Sequence, residues 1–128
     1  MTPIFWSYPD TEKALARFTT GSVETVVSLR RNGRSWQLGF EVEGPSNEVA
    51  YSALEIFRGV FDALEQFLAV REPMTVLFAT DRDDLAEIYR TYLEKESKRL
   101  TSLGYRLDSE HRVLRRFKPS RWAAPVEA

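Results

Sequence analysis

The chain has 128 residues, 43% of them hydrophobic, with 8 Phe, 5 Tyr and 3 Trp and a net charge of −1. That is enough apolar mass for one ordinary domain with its own core, and it argues against intrinsic disorder. Cysteine is absent and histidine occurs once, which excludes disulfides and thiolate metal sites, disfavours zinc, and makes a reducing, cytoplasmic setting the simpler expectation.

No apolar run is long enough to span a membrane, and Met1–Asp10 has no basic leader before an apolar stretch, so neither a membrane segment nor a signal peptide is expected. Residues 1–20 read two ways. Pro3 and Pro9 flank Ile4–Tyr8, which suits a short edge strand, while Thr11–Phe18 fits either a helical turn or a further strand. Gly21 and Ser22 then lead into the strongest local signal, Asn32-Gly33, the preferred pair for a type I′ hairpin turn. The hairpin is expected over Val23–Arg30 and Arg34–Glu43, with Arg31 opposite Arg34, Leu29 opposite Trp36, Val27 opposite Leu38, Thr25 opposite Phe40 and Val23 opposite Val42. This pairing makes one face almost wholly apolar and places Glu24 across from Glu41 on the other.

Gly44-Pro45-Ser46-Asn47 closes the hairpin, with Ser46 or Asn47 as cap of a helix from about Glu48 to Arg71. Val49, Ala53, Ile56, Phe57, Val60, Leu64, Phe67 and Leu68 trace its apolar stripe, widened by Leu54 and Phe61. Gly59 interrupts the helix, and close packing on the sheet explains it; Pro73 ends the helix. Met74–Ala79 reads as a buried central strand. A second helix follows from about Asp81 to Leu103, opened by Asp81, Asp83 and Asp84 at its positive dipole end and closed by Gly104. Tyr105–Leu107 and His111–Phe117 are short strands, and residues 118–128 form a tail. The whole is read as a single α+β domain: a mixed, mainly antiparallel sheet of four to five strands with two long helices on one face.

Catalytic patterns are missing. A serine triad would have to use His111 beside Asp108 and Ser109, in what reads as a polar turn, and there is no Gly-x-Ser-x-Gly elbow. The glycines form no phosphate-binding loop. Asp81, Asp83, Asp84, Glu24 and Glu41 are the only acids grouped enough to suggest Mg²⁺ or Mn²⁺ chemistry, as in phosphoryl transfer. Helix capping and a charge pair answered by a nearby Arg are the simpler accounts of them.

The basic segment Lys98–Arg121 is the main functional candidate. It carries Lys98, Arg99, Arg106, Arg112, Arg115, Arg116, Lys118 and Arg121 against only Asp108 and Glu110. With Trp122 beside it, this segment offers phosphate contacts and a stacking surface for nucleic acid; a solvated strand edge and helix end is the plainer explanation. Trp6 and Trp122 would mark an interface if exposed.

The run Val76–Arg82, then Ile88-Tyr89-Arg90, then Leu103-Gly104-Tyr105 resembles a group of small bacteriophage and prophage proteins of unassigned activity over residues 23–107. The resemblance implies an accessory role in a bacterial host, with Arg82 at the group's Arg position. The leading functional expectation is therefore a non-enzymatic binding or assembly protein without a cofactor, holding a host or virion protein or a second copy of itself. A nucleic-acid-binding protein is the alternative, and a metal-dependent phosphoryl-transfer enzyme the third reading.

Overall fold

A computed structural model describes residues 3–78, 83–108 and 113–118. Seven strands form one sheet: β1 (Phe5–Asp10), β2 (Lys13–Thr20), β3 (Val23–Asn32), β4 (Ser35–Glu43), β5 (Thr75–Phe78), β6 (Tyr105–Asp108) and β7 (Val113–Arg116). Their spatial order is β1-β2-β3-β4-β5-β7-β6, and every pair is antiparallel except β4–β5. The described residues also form four helices: α1 (Ser46–Tyr51), α2 (Ala53–Arg71), α3 (Asp83–Lys95) and α4 (Ser97–Ser102). The α+β class is as expected, but the sheet has seven strands where four to five were expected. The two extra strands come from residues 1–20, whose edge-strand and further-strand readings both hold. Pro9 sits in edge strand β1, where the register shifts between Ser7 and Asp10, so its missing N–H leaves no ladder bond unmade.

The hairpin's faces are as read from the sequence, but its register is two residues away. Leu29 pairs with Leu38, Val27 with Phe40 and Thr25 with Val42. The turn is built on Gly33-Arg34 rather than Asn32-Gly33. Only Gly33 has positive φ (65°), as a type II′ turn with glycine in its first central position requires, and Gly21 (φ 61°) does the same between β2 and β3. Because a shift of two preserves the alternation of side chains, Val23, Thr25, Val27, Leu29, Trp36 and Leu38 are still buried. The shift does separate Glu24 from Glu41: Glu24 lies opposite Glu43 and is answered by Arg17 at 3.4 Å.

Both expected long helices are each in two pieces, broken at Ser52 and Glu96. Helix α1 starts at Ser46 after Pro45, with no side-chain cap, so neither Ser46 nor Asn47 plays the expected capping role. Helix α2 lays Ile56, Val60, Phe61, Leu64, Phe67 and Leu68 on the apolar sheet face. Gly59 is needed there, since a Cβ would stand 2.4 Å from Cε2 of the buried Phe18 ring. Leu54 does not widen the stripe; it is 85% exposed. Trp6 is half-buried, stacks on Phe67 and donates from Nε1 to Gln66 Oε1 at 2.8 Å, so it is tied to the core margin rather than presented as an interface.

After Arg71 the chain turns sharply through Glu72, in the left-handed region at φ 48°, into Pro73. Three contacts hold this turn. Tyr105 Oη donates to Pro73 O (2.6 Å), Arg116 N to Met74 O (2.9 Å), and Arg116 Nη2 to Glu72 Oε1 (2.7 Å). Burial, above all, pushes the Tyr105 hydroxyl up to about 12, so it stays protonated and donating at any ordinary pH.

Candidate functional site

The parallel step from β4 to β5 makes both helical segments run in the same direction over the sheet. Between α2 and α3 lies a cleft of about 620 Å³, within the usual size of ligand pockets. Phe57 and Phe61 line it from α2, and Ile88 and Tyr92 from α3. The Phe61 and Tyr92 rings stack face to face across it, centroids 3.5 Å apart. Leu54 in its lining projects into solvent, at 85% exposure.

The apolar lining gives way to charge along both helices. On α2 the row Phe57, Phe61 continues to Glu65 at four-residue steps; on α3 the row Ile88, Tyr92 continues to Glu96. Glu65 is buried, with its side chain only 7% exposed, and its Oε1 lies 3.0 Å from Arg99 Nε of α4. That approach lacks hydrogen-bond alignment, so Oε1 is held by charge attraction alone. Burial raises the Glu65 carboxyl above its ordinary value; Glu96 and Asp62 push the same way, against Arg99 and a hydrogen bond from Tyr92. The Tyr92 hydroxyl is raised too, by burial and then by Glu65. Asp62 and Arg99 also line a second hollow, of about 240 Å³, reached beside Ile4 and Gln66. The cleft thus combines an aromatic lining with both signs of charge, Asp62, Glu87 and Glu96 against Arg58, Lys95 and Arg99. It offers packing area and fixed charge but no nucleophile–base pair, and the described residues include no group of acids placed to hold a metal.

The candidates read from the sequence do not form one surface. Lys98 is exposed on α4, whereas Arg99 is bound to Glu65. Arg116 points under the helices, where its side chain is 6% exposed and paired with Glu72. It is a structural residue and is not available to a ligand. Arg115 and Lys118 are exposed. Arg112, Arg121, Trp122, Arg82, Asp81 and His111 lie outside the described residues, as do the side chains of Asp83 and Asp84. The cleft itself was missed, because its lining residues Phe57, Phe61, Ile88 and Tyr92 recur at the same helical spacing as core residues. Among the described residues no helix is long and apolar enough to cross a membrane. No protein-family model, no curated protein and no solved structure matches this chain.

Proposed function

We propose that this chain is a non-enzymatic binding or assembly protein that docks an amphipathic helix of a protein partner in the α2–α3 cleft. One observation carries the reading: Leu54 from α2 and Ile88 from α3 are both exposed in the lining of an aromatic groove. A lone exposed apolar side chain needs no explanation, but two large ones continuous with a groove mark an interaction surface. Helix-in-groove recognition uses apolar anchors at helical spacing, and Phe57, Phe61, Ile88 and Tyr92 would receive them. Asp62, Glu87 and Glu96 are matched in the lining by Arg58, Lys95 and Arg99, which favours a docked helix carrying charges of both signs beside its apolar anchors. The resemblance to phage accessory proteins makes a host or virion protein the natural partner class, with a second copy of the chain as the other occupant to test.

Leu54→Glu is the discriminating variant, because it alters the groove mouth and no buried contact. A protein captured by the wild-type chain from host lysate should rebind it as a purified species. Leu54→Glu should weaken that binding at least about 30-fold, as loss of a hot-spot side chain worth about 2 kcal/mol would. Equal capture by both chains would refute the reading. So would the absence of any partner together with a monomer in sedimentation.

A further inference from the structure

The strand order brings together, at one end of the sheet, cations that lie far apart in the chain. Arg34 is in the β3–β4 turn, and from the adjacent Ser35 the paired row runs Ser35–Thr75–Arg115–Arg106 across β4, β5, β7 and β6. The row below runs Asp10–Lys13–Arg30–Gln37–Leu77–Val113–Asp108 from β1 to β6, with an acid at each end of it. Residues paired directly share a face, and this is the sheet face away from the helices. Arg30, Arg34, Arg106, Arg115 and Lys118 are exposed. None of these, nor Lys13, forms an ion pair among the described residues. The opposite end of the same sheet carries Glu24, Glu41 and Glu43. A chain of net charge −1 is therefore strongly polarised along its strands.

Folding does not call for this arrangement. Lys13 is faced by Asp10 on β1, but Arg106 stands directly opposite Arg115, and like charges so placed destabilise a sheet. Protection of a sheet edge accounts for Arg106 on β6, but not for Arg30 and Arg115 on interior strands. An aromatic ring completes the surface. Phe117, 38% exposed, lies between Arg106 (4.5 Å to its centroid) and Lys118 (5.8 Å). Uncharged hydrogen-bonding groups, Ser35, Gln37 and Thr75, fill the space between the cations.

We propose that this end of the open sheet face binds single-stranded nucleic acid, with the cations on phosphates and Phe117 stacking on a base. Charge complementarity selects a polyanion, and an accessible ring beside cations selects unpaired bases over a duplex. From Lys13 to Arg106 is five interstrand steps, about 24 Å at ~4.8 Å per step. At about 3.4 Å per nucleotide that holds about seven stacked nucleotides.

The test is fluorescence anisotropy with labelled twelve-nucleotide oligo-dT and oligo-U, using the full chain. With about five phosphates neutralised, log affinity should fall with log salt at a slope of about −3.5, roughly a 100-fold loss from 50 to 200 mM. Arg115→Glu and Arg30→Glu should each weaken binding at least about 10-fold at 50 mM. Arg115→Glu places an acid opposite Arg106, so a melting temperature at or above that of the wild type shows that the fold is intact; Arg30→Glu tests the same surface from another strand. Leu54→Glu should bind the oligonucleotides normally, which separates this surface from the cleft. The proposal is overturned by no binding at 50 mM salt, by a slope shallower than −1, or by unchanged affinity in both charge-reversal variants. Equal binding of a poly-glutamate chain of matched charge also overturns it and reassigns the surface to acidic proteins.

Discussion

Replacing Gly59 with Ala sets two effects of opposite sign against each other. In an exposed helix interior the change would stabilise by about 1 kcal/mol, because glycine is the costlier helical residue. Here the new Cβ would meet Cε2, Cζ and Cδ2 of Phe18 at 2.4, 2.5 and 3.0 Å. Phe18 is 2% exposed and packed on β2, so its ring cannot swing into solvent to make room. Relief requires α2 to lift or the ring to leave its rotamer, and overpacking of this kind costs about 1–3 kcal/mol. The contact is closer than the upper part of that range needs, so the steric cost should be about 3 kcal/mol and the net loss about 2 kcal/mol. For a domain of this size that is a fall in melting temperature of about 6–8 °C. Phe18→Leu removes the offending ring edge, so in that background Gly59→Ala should be neutral or stabilising. A double-mutant cycle by thermal and urea unfolding measures the coupling, expected at about 2 kcal/mol or more. A rise in melting temperature for Gly59→Ala in the wild-type background would show that helix propensity dominates and that the close approach of α2 to β2 is wrong.

Arg116→Leu removes the 2.7 Å partner of the part-buried Glu72 at a left-handed turn, and should cost about 1–3 kcal/mol in urea unfolding. Changing Glu72 and Arg116 together to apolar residues should recover much of that loss. Glu65→Gln should show a pH-dependent effect. Burial raises the folded-state carboxyl above its unfolded value of 4.5, so the folded state binds the proton more tightly. The stability this group contributes is present below the unfolded value and is lost as pH rises through the raised folded one. Gln carries no such penalty. The variant should gain on the wild type at pH 7, and the gain should vanish below about pH 4.5. A constant difference across that range in urea titrations would mean that Glu65 is not held in a raised state.

Alternation of side chains was legible in the sequence and pairing was not, and the two failed to travel together for a physical reason. Val23, Thr25, Val27 and Leu29 against Trp36, Leu38, Phe40 and Val42 define an inward face in any register related by an even shift. The apolar pattern alone therefore permits Leu29 to face either Trp36 or Leu38. The turn decides between them. Asn-Gly suits a I′ turn, yet Gly33-Arg34 makes a II′ turn with a single positive φ and spares Asn32 the left-handed region. Trp36 moves up to Arg31, and its ring meets Phe67 at 5.0 Å, with the Arg71 guanidinium 5.9 Å from its centroid. The first twenty residues were ambiguous because Lys13–Thr20 mixes charged, small and apolar residues. Its inward set, Ala14, Ala16 and Phe18, is legible as a strand only once α2 is known to press on it through Gly59.

The two proposed surfaces were hidden for opposite reasons. The basic end is assembled from turns and strand ends that are remote in sequence, so no local window holds it. Within Lys98–Arg121 alternation divides the charge, sending Arg116 under the helices to Glu72 and Arg115 to the open face. The run of cations visible in the letters is therefore not the run visible in space. Arg115 lies between Arg106 of its own segment and Thr75, and beyond Thr75 stands Ser35, supplied by a parallel crossover that the composition of the segment does not encode. The cleft was hidden because its residues look like core. Phe57, Phe61 and Tyr92 obey the same helical period as Val60, Leu64 and Leu93, and the difference lies only in which side of each helix the sheet occupies. The helix layer buries one stripe of α2 against β2 and β3 and leaves the adjoining row, from Leu54 to Phe61, to the cleft shared with α3, before that row passes inward at the buried Glu65. A row that ends in a buried carboxylate costs the core stability, which a lining of Leu in place of Glu65 would avoid.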